Sequence, residues 1–271
     1  MPTSVIVSTY NAPRWLEKAL IGWACQDRTD FEVIVADDGS GPETKALIDR
    51  LAGDYPVALR HLWQEDRGFR KNAILNRAIL AAAGDYLLFT DGDCIPRADC
   101  LAAHLRHAAA GRFLSAGYCR LPMTTSQAIG EADIRAQRCF AVAWLRRHGF
   151  SSTPKWLKIV ARPWRIDGLL NTITPAKATF NGNNSSCFRR DAIAVGGFDE
   201  RMGYGGEDRE FGYRLANAGV RPRIIRYSAL CLHLDHARGY RDDTVRAANE
   251  AIINETLKTG RTRTEHGLPA G

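Results

Sequence analysis

No stretch of this 271-residue chain is apolar for long enough to span a bilayer, which takes about 20 residues. The best candidates, residues 73–84 and 86–90, are interrupted by Asn76, Arg77 and Asp85. The opening MPTSVIVSTYN has neither a basic start nor a long apolar core, so no secretory leader is expected. The seven cysteines form no CxxC pair and are odd in number. That excludes a closed disulfide framework and suits a reducing cytoplasm. Internal repeats are missing, as are RNP-like and helix-turn-helix patterns, so positive charge alone does not make a nucleic-acid binder. Acidic residues are missing from one long stretch, residues 134–166. It carries Arg135, Arg138, Arg146, Arg147, Lys155, Lys158, Arg162 and Arg165 with no Asp or Glu. The chain's net charge of +7 therefore lies almost wholly there, and the rest is close to neutral.

What remains is ordinary globular composition, 45% hydrophobic and 25% charged, enough for one large domain or two small ones. Residues 4–8 (SVIVS), 31–36 (FEVIVA), 57–63 and 85–90 (DYLLFT) read as strands. Helical patterns follow the first three, after Pro13 through Trp15, Leu16, Ala19, Leu20 and Trp23, then over residues 43–52 and 70–83, the last with Gly84 in the place of a C-cap. Strands alternating with helices predict an α/β fold with a mainly parallel sheet and flanking helices. In such sheets ligands bind beyond the carboxyl ends of the strands. Three polar clusters stand at such ends: Thr9-Tyr10-Asn11, Asp37-Asp38-Gly39-Ser40 and Asp91-Gly92-Asp93. The second half is less regular. Helices are expected over residues 101–110, 131–148, 207–218 and 244–259, and strands over 112–117 and within 220–234. Residues 181–188 read as an edge strand, 149–175 as loop, and 261–271 as a disordered tail. For the last helix, Asp243 is the expected cap, with Val245, Ala248, Ile252 and Leu257 facing inward.

Asp91 and Asp93 stand at i and i+2, where a strand gives way to a loop and both can share a face. Two close carboxylates repel unless a cation or donors neutralise them. A hard divalent ion with sites left for phosphates resolves this; an acidic turn is the plain alternative. Asp37 or Asp38 can accept the imide N–H of a pyrimidine or ribose hydroxyls, though Asp and Ser are also common turn residues.

VIVSTYNAPRWLEKAL, EVIVADDGS and GDYLLFTDGDC, in this order and spacing, resemble the family 2 glycosyltransferases of the GT-A fold. The resemblance implies a Rossmann-like sheet and a nucleotide pocket lined by Thr9, Tyr10 and Asn11. It implies a uracil contact from Asp37 or Asp38, and basic residues near the phosphates in the run Arg67-Gly68-Phe69-Arg70-Lys71-Asn72. Asp91 and Gly92 then meet the ribose side, while Asp91 and Asp93 hold Mn²⁺ or Mg²⁺. Further on, NGNNSSCFRRDAIAVGGFDERMGYGGEDREFGYRL resembles the C-terminal segment of galactosyl- and N-acetylgalactosaminyltransferase-like GT-A enzymes. By that resemblance Asp208 is the base. Glu207, Asn181, Gly182, Asn183, Gly205 and Gly206 face the acceptor. His233, or alternatively His236, completes the metal shell.

The expected organisation is a nucleotide-sugar half (residues 1–95), an acceptor and catalytic half (96–236) holding a basic, aromatic insertion at about 134–175, and a C-terminal helix and tail (237–271). The expected reaction is inverting transfer from a UDP-sugar to a hydroxyl of a glycan or lipid-linked glycan in bacterial surface polysaccharide synthesis. The charges of residues 134–166 are interleaved with Phe140, Trp144, Phe150, Trp156 and Trp164. That suits peripheral contact with an anionic membrane at its cytoplasmic face. A nucleotide-sugar-binding protein without catalysis is the main alternative; a nucleic-acid binder is disfavoured.

Overall fold

The computed structural model describes residues 1–151, 153–176, 179–236 and 242–269. The first half runs β1 (Thr3–Thr9), α1 (Pro13–Ala24), β2 (Phe31–Asp37), α2 (Pro42–Ala52), β3 (Ala58–Trp63), α3 (Lys71–Ala81), β4 (Tyr86–Asp91), β5 (Cys94–Pro96), α4 (Cys100–His107) and β6 (Arg112–Arg120). Short helices follow: α5 (Met123–Ala128), α6 (Glu131–Arg135), a 3-10 turn (Arg138–Phe140), α7 (Val142–Arg147), α8 (Thr153–Val160) and α9 (Asp167–Ile173). The chain closes with β7 (Ser185–Phe188), α10 (Arg189–Ala194), α11 (Glu207–Asn217), β8 (Arg221–His233) and α12 (Asp243–Thr259).

These strands make one mixed sheet of order β3-β2-β1-β4-β7-β6-β8-β5. β3, β2, β1 and β4 are parallel, as the alternation of strand and helix predicts. β7 runs antiparallel to both β4 and β6. It is therefore interior, and the expectation of an edge strand there fails. Its partners, Tyr86–Phe89 and Leu114–Ser115, lie far off in the chain, which local sequence does not reveal.

The apolar runs in the central strands reflect burial on both faces. Ile6, Ile34 and Phe89 turn to α3 and a phenylalanine cluster of Phe180, Phe198 and Phe211. Val5, Val7, Val33, Val35 and Leu88 turn to Leu16, Leu20 and Trp23 of α1 and to Leu47 and Ile48 of α2. Pro13 opens α1 at its first turn, where a missing N–H is harmless.

Several expectations need correction. Gly84 is not a helix cap; a Cβ there would stand 2.6 Å from the Ser4 nitrogen, and its amide donates to Ser4 Oγ. Residues 131–148 do not form one helix, because Gln137 turns left-handed at φ 55° and splits it. Residues 149–175 are not mainly loop but carry α8 and α9. α12 is capped by Asp242, whose carboxylate accepts from Thr244 N and Val245 N. Its buried residues are Asn249, Ile253 and Thr256, and Leu257 is 53% exposed. Gly260 ends it in the left-handed conformation. The disordered tail is contradicted over residues 261–269. Thr264 is fully buried and Leu268 nearly so, and Thr264 Oγ1 donates to Asp199 Oδ2 at 2.8 Å.

Candidate active site

The carboxyl ends of β1, β2 and β4 open on a cleft of about 790 Å³. Ser8, Thr9, Tyr10, Asn11, Asp38, Lys71, Asp91, Gly92, Asp93, His233 and His236 are among the residues that line it. The two adjacent aspartates at the end of β2 diverge. Asp37 is fully buried, accepting from Ser40 N (2.8 Å) and pairing with His61 Nε2 (2.9 Å). Asp38 faces the cleft, held by Gln64 Nε2 and by the Arg70 amide. Burial pushes the Asp38 carboxyl above its ordinary range, against those two donors. Thr9 Oγ1 is buried with no partner, an acceptor and donor held ready on the cleft wall. Tyr10 Oη donates to Asp66 at 2.8 Å, and Asn11, at φ 45°, accepts from Gly41 N.

At the end of β4, Asp91 Oδ1 accepts from Ser8 Oγ and from Lys71 Nζ, both at 2.7 Å. Burial alone would lower the Lys71 pKa, but Asp91, Glu207 and Asp208 outweigh it and raise it. Burial likewise opposes ionisation of Asp91, and Lys71 with Ser8 overcomes it, holding the carboxyl below its usual range. Lys71 thus stands as a fixed cation. Ser8 was not singled out from sequence, although β1 and β4 pair Ser8 with Asp91 in register. A hydroxyl at the end of an apolar strand was the available signal.

Asp93 lies next to two imidazoles. His236 Nε2 is 3.1 Å and His233 Nδ1 4.0 Å from Asp93 Oδ2. Donor atoms of Asp93, Cys94 and His233 lie within 4.8 Å of one another. Burial pushes the Cys94 thiol well up, so carboxylate and imidazole are the donors on offer. His233 Nδ1 is 2.9 Å from the Leu234 carbonyl; a proton donated there leaves Nε2 with a free lone pair. A carboxylate with imidazoles is a donor set that fits a divalent cation. Asp91 lines the same cleft, its Oδ1 engaged by Lys71 and Ser8.

Behind Lys71 lies the second carboxylate pair. Gly205 and Gly206, at φ 111° and 94°, bring the chain round so that α11 starts at Glu207-Asp208. Glu207 Oε2 accepts from Gly205 N, and Asp208 accepts from Gly182 N and Arg209 N at 2.9 and 2.7 Å. The place a Cβ on Gly182 would take is 3.7 Å from Lys71 Nζ and 3.8 Å from Asp208 Oδ2, so lysine and base candidate face one small space. Burial raises the pKa of both carboxyls; Asp208 adds to this at Glu207, and Lys71 opposes it at both. Asn183 Oδ1 is another buried atom without a partner.

Other expected site residues lie elsewhere. Arg67 and Arg70 line a separate cavity of about 540 Å³ with Trp63, Arg77 and Glu200. Asn72 is buried and donates to the Asp199 and Met202 carbonyls, steadying the loop before α11 rather than meeting a nucleotide. The Asn181 side chain turns inward to Ser115 Oγ, and the Gly182 amide is spent on Asp208. Phe69 and Tyr204, not singled out from sequence, both line the cleft and pack edge to face at 5.9 Å.

Residues 4–131 match the family model described as "Glycosyl transferase family 2". Residues 172–237 match the model described as "N-terminal domain of galactosyltransferase". The chain belongs to the family 2 glycosyltransferases. Among relatives, a validoxylamine A glucosyltransferase of Streptomyces hygroscopicus subsp. jinggangensis is 30% identical, over 83% of this chain and 54% of its own length. The chain spans 38% to 68% of the length of the first curated relatives it matches. Two solved structures share the fold. A mannosyltransferase from Pyrobaculum calidifontis in complex with GDP-Man and Mn²⁺ has TM-score 0.62 and 22% identity, over 95% of this chain and 64% of that one. S. aureus TarS 1–349 in complex with UDP-GlcNAc has TM-score 0.60 and 18% identity, over 95% and 72%. The fold is GT-A.

The basic segment is partly neutralised from outside itself. Arg135 pairs with Glu131, Arg138 with Asp133, and Arg162 lies near Asp99 and Asp167. Of its five aromatics, Phe140 and Phe150 are buried, and Trp164 alone is exposed. No helix among the described residues is long and apolar enough to cross a membrane.

Proposed function

We propose that this glycosyltransferase moves a sugar with inversion from a UDP-sugar to a hydroxyl of a glycan or lipid-linked glycan, in the assembly of a bacterial surface polysaccharide. The observation that carries the reading is the shared space between Lys71, fixed on Asp91 at 2.7 Å, and the Asp208 carboxylate. Leaving-group stabilisation and proton removal meet there. Asp38 accepts a base imide N–H in this reading, and Thr9 and Asn11 meet the nucleoside; their position on the cleft wall supports it. Asp93 with His233, or His236, would hold the ion. The bound ion, Mn²⁺ or Mg²⁺, would neutralise charge on the departing diphosphate. Lys71 supplies a second positive charge at the same end. A sugar hydroxyl is a weak nucleophile, so transfer needs a base in hydrogen-bond reach. Asp208, its pKa raised by burial, removes that proton as the oxygen attacks the anomeric carbon from the face opposite the diphosphate. Glu207 contacts the acceptor.

The test is Asp208→Asn, assayed for UDP binding by calorimetry and for transfer with a panel of UDP-sugars, Mn²⁺ and glycan acceptors. UDP affinity is expected to hold while transfer falls roughly 10²–10⁴-fold. Undiminished transfer would remove Asp208 as the base; binding of GDP in preference to UDP would overturn the donor.

A further inference from the structure

Four of the large apolar side chains exposed on the described surface fall within residues 157–173. Leu157 is 40% exposed, Trp164 67%, Leu169 61% and Ile173 60%. The other five, Met1, Trp63, Leu80, Tyr204 and Leu257, are scattered along the chain. Several side chains of the segment from α8 to α9 turn inward. Ile159 and Ala161 are buried. The Asp167 carboxylate accepts from Ser228 Oγ, and Asn171 bonds Ser228 Oγ at 2.8 Å and the Tyr227 amide at 3.0 Å. Leu169 and Ile173, one turn apart, therefore face outward from the described residues.

Beside Trp164 lies a cavity of about 430 Å³ lined by Arg97, Ala98, Asp99, Arg162, Pro163 and Arg165. It holds three guanidinium groups against one carboxylate. Asp99 is shared, at 2.6 Å from Arg97 Nε and 3.5 Å from Arg162 Nε, and Arg162 also lies 3.8 Å from Asp167 Oδ1, so these three guanidinium groups exceed the two carboxylates they meet by one charge. Arg165 sits at φ 58°, a conformation uncommon outside glycine. More cations ring the patch. Arg146 lies over the Trp156 ring at 4.9 Å, next in the chain to Leu157, and Lys158 follows on the same helix. Burial, then Arg223 and Arg106, pull the nearby His107 below the ordinary histidine range.

We propose that α8, α9 and the turn between them dock on an anionic phospholipid membrane, with a lipid phosphate between Arg162 and Arg165 and with Leu157, Trp164, Leu169 and Ile173 entering the headgroup boundary. An interfacial surface needs apolar anchors and a cationic collar together, with Trp at headgroup depth. The charge decides the occupant. A second copy of the chain would cover the apolar groups but would bring the same cations, whereas an anionic leaflet satisfies both. The surface is also tied to the cleft. Lys158 Nζ donates to the Tyr118 carbonyl at 3.1 Å, and the Tyr118 ring packs on His233 at 5.9 Å. Docking does not rest on the transfer reaction. If the transfer reading holds, docking brings the ion-binding end of the cleft toward lipid-anchored acceptors.

The experiment is flotation of the full chain with phosphatidylcholine vesicles and with vesicles that also contain phosphatidylglycerol, at low and high salt. The wild-type chain is expected to float with the anionic vesicles, less so in high salt. Trp164→Ala combined with Leu169→Ser and Ile173→Ser should cut partitioning more than about ten-fold. Arg165→Gln should cut it about five-fold, for anionic vesicles alone. Both variants should keep the wild-type melting temperature and UDP affinity, which separates lost docking from lost folding. Failure of the wild type to float at low salt, or equal flotation of the triple variant, overturns the proposal. So does release from vesicles by inorganic phosphate at constant ionic strength, which would mark a free-anion pocket. A concentration-dependent dimer abolished by the triple variant, with no vesicle binding, would reassign the patch to self-association.

Discussion

Asp37 and Asp38 are chemically identical and adjacent, yet they do different work. Successive side chains at a strand end point to opposite faces, so one of such a pair turns inward. Asp37 is the inward one, holding the turn through Ser40 N and His61; Asp38 lines the cleft. Asp38→Asn is expected to weaken UDP binding by about ten-fold or more, the range for a bond to a charged group, with little change in melting temperature. Asp37→Asn should do the reverse. Calorimetry and thermal melts on the two variants check the assignment, and the opposite pattern would exchange the roles. The pair was legible in the sequence, but the choice between its members was not, because it depends on which face of the sheet each packs against. The same holds at the candidate ion site, where His233 and His236 both lie near Asp93.

Elements distribute residues that sequence reads as one cluster. The basic run before α3 was taken together, but consecutive helical positions point about 100° apart. Lys71 reaches Asp91, Asn72 reaches the loop before α11, and Arg70 lines another cavity. α4 shows a different burial effect. His104 is enclosed, with Nδ1 2.7 Å from Ser186 Oγ and Nε2 2.9 Å from Asn184 Oδ1, and burial pulls its pKa down to about 4 against the Asn184 bond. Its folded pKa lies below the unfolded value of about 6.5, so the folded state binds fewer protons. Its contribution is full above pH ~6.5 and fades as pH falls toward ~4, a loss of about 3 kcal/mol. Urea midpoints measured across that window should fall, and His104→Gln should flatten the dependence. An unchanged slope in the variant would place the acid sensitivity elsewhere.

At the scale of the whole molecule, residues 261–269 act as a strap. Leu268 N donates to the Gly196 carbonyl and Glu200 N to the His266 carbonyl, at 2.8 and 2.7 Å, and Thr264 holds Asp199. The strap grips residues 195–200, which lead through Gly205-Gly206 to Glu207 and Asp208. Truncation after Gly260 should lower the melting temperature by roughly 5–10 °C, from the lost burial of Leu268 and its bonds. It should reduce transfer more than UDP binding, since the donor wall on β1, β2 and β4 is untouched. Thermal melts, calorimetry and transfer assays on the truncated chain test this; a parallel loss of both functions would mean the strap supports the whole sheet. Charge changes meaning at this scale too. Arg135 and Arg138 are paired with acids just outside the acid-free segment, while the cations around α8 and α9 gather about one cavity.

By itself the sequence determined the first half of the chain, up to β4. Its strands, the helices between them and the polar groups at their ends follow from local hydrophobic period and local turn chemistry, which travel with the residues. The pairing of Ser8 and Lys71 with Asp91, the turning of Asp38 rather than Asp37 to the cleft, the interior place of β7 and the ordering of residues 261–269 were decided by tertiary structure alone. Each depends on a contact between segments far apart in the chain, where packing against both faces of one sheet, not local preference, sets the lowest free energy.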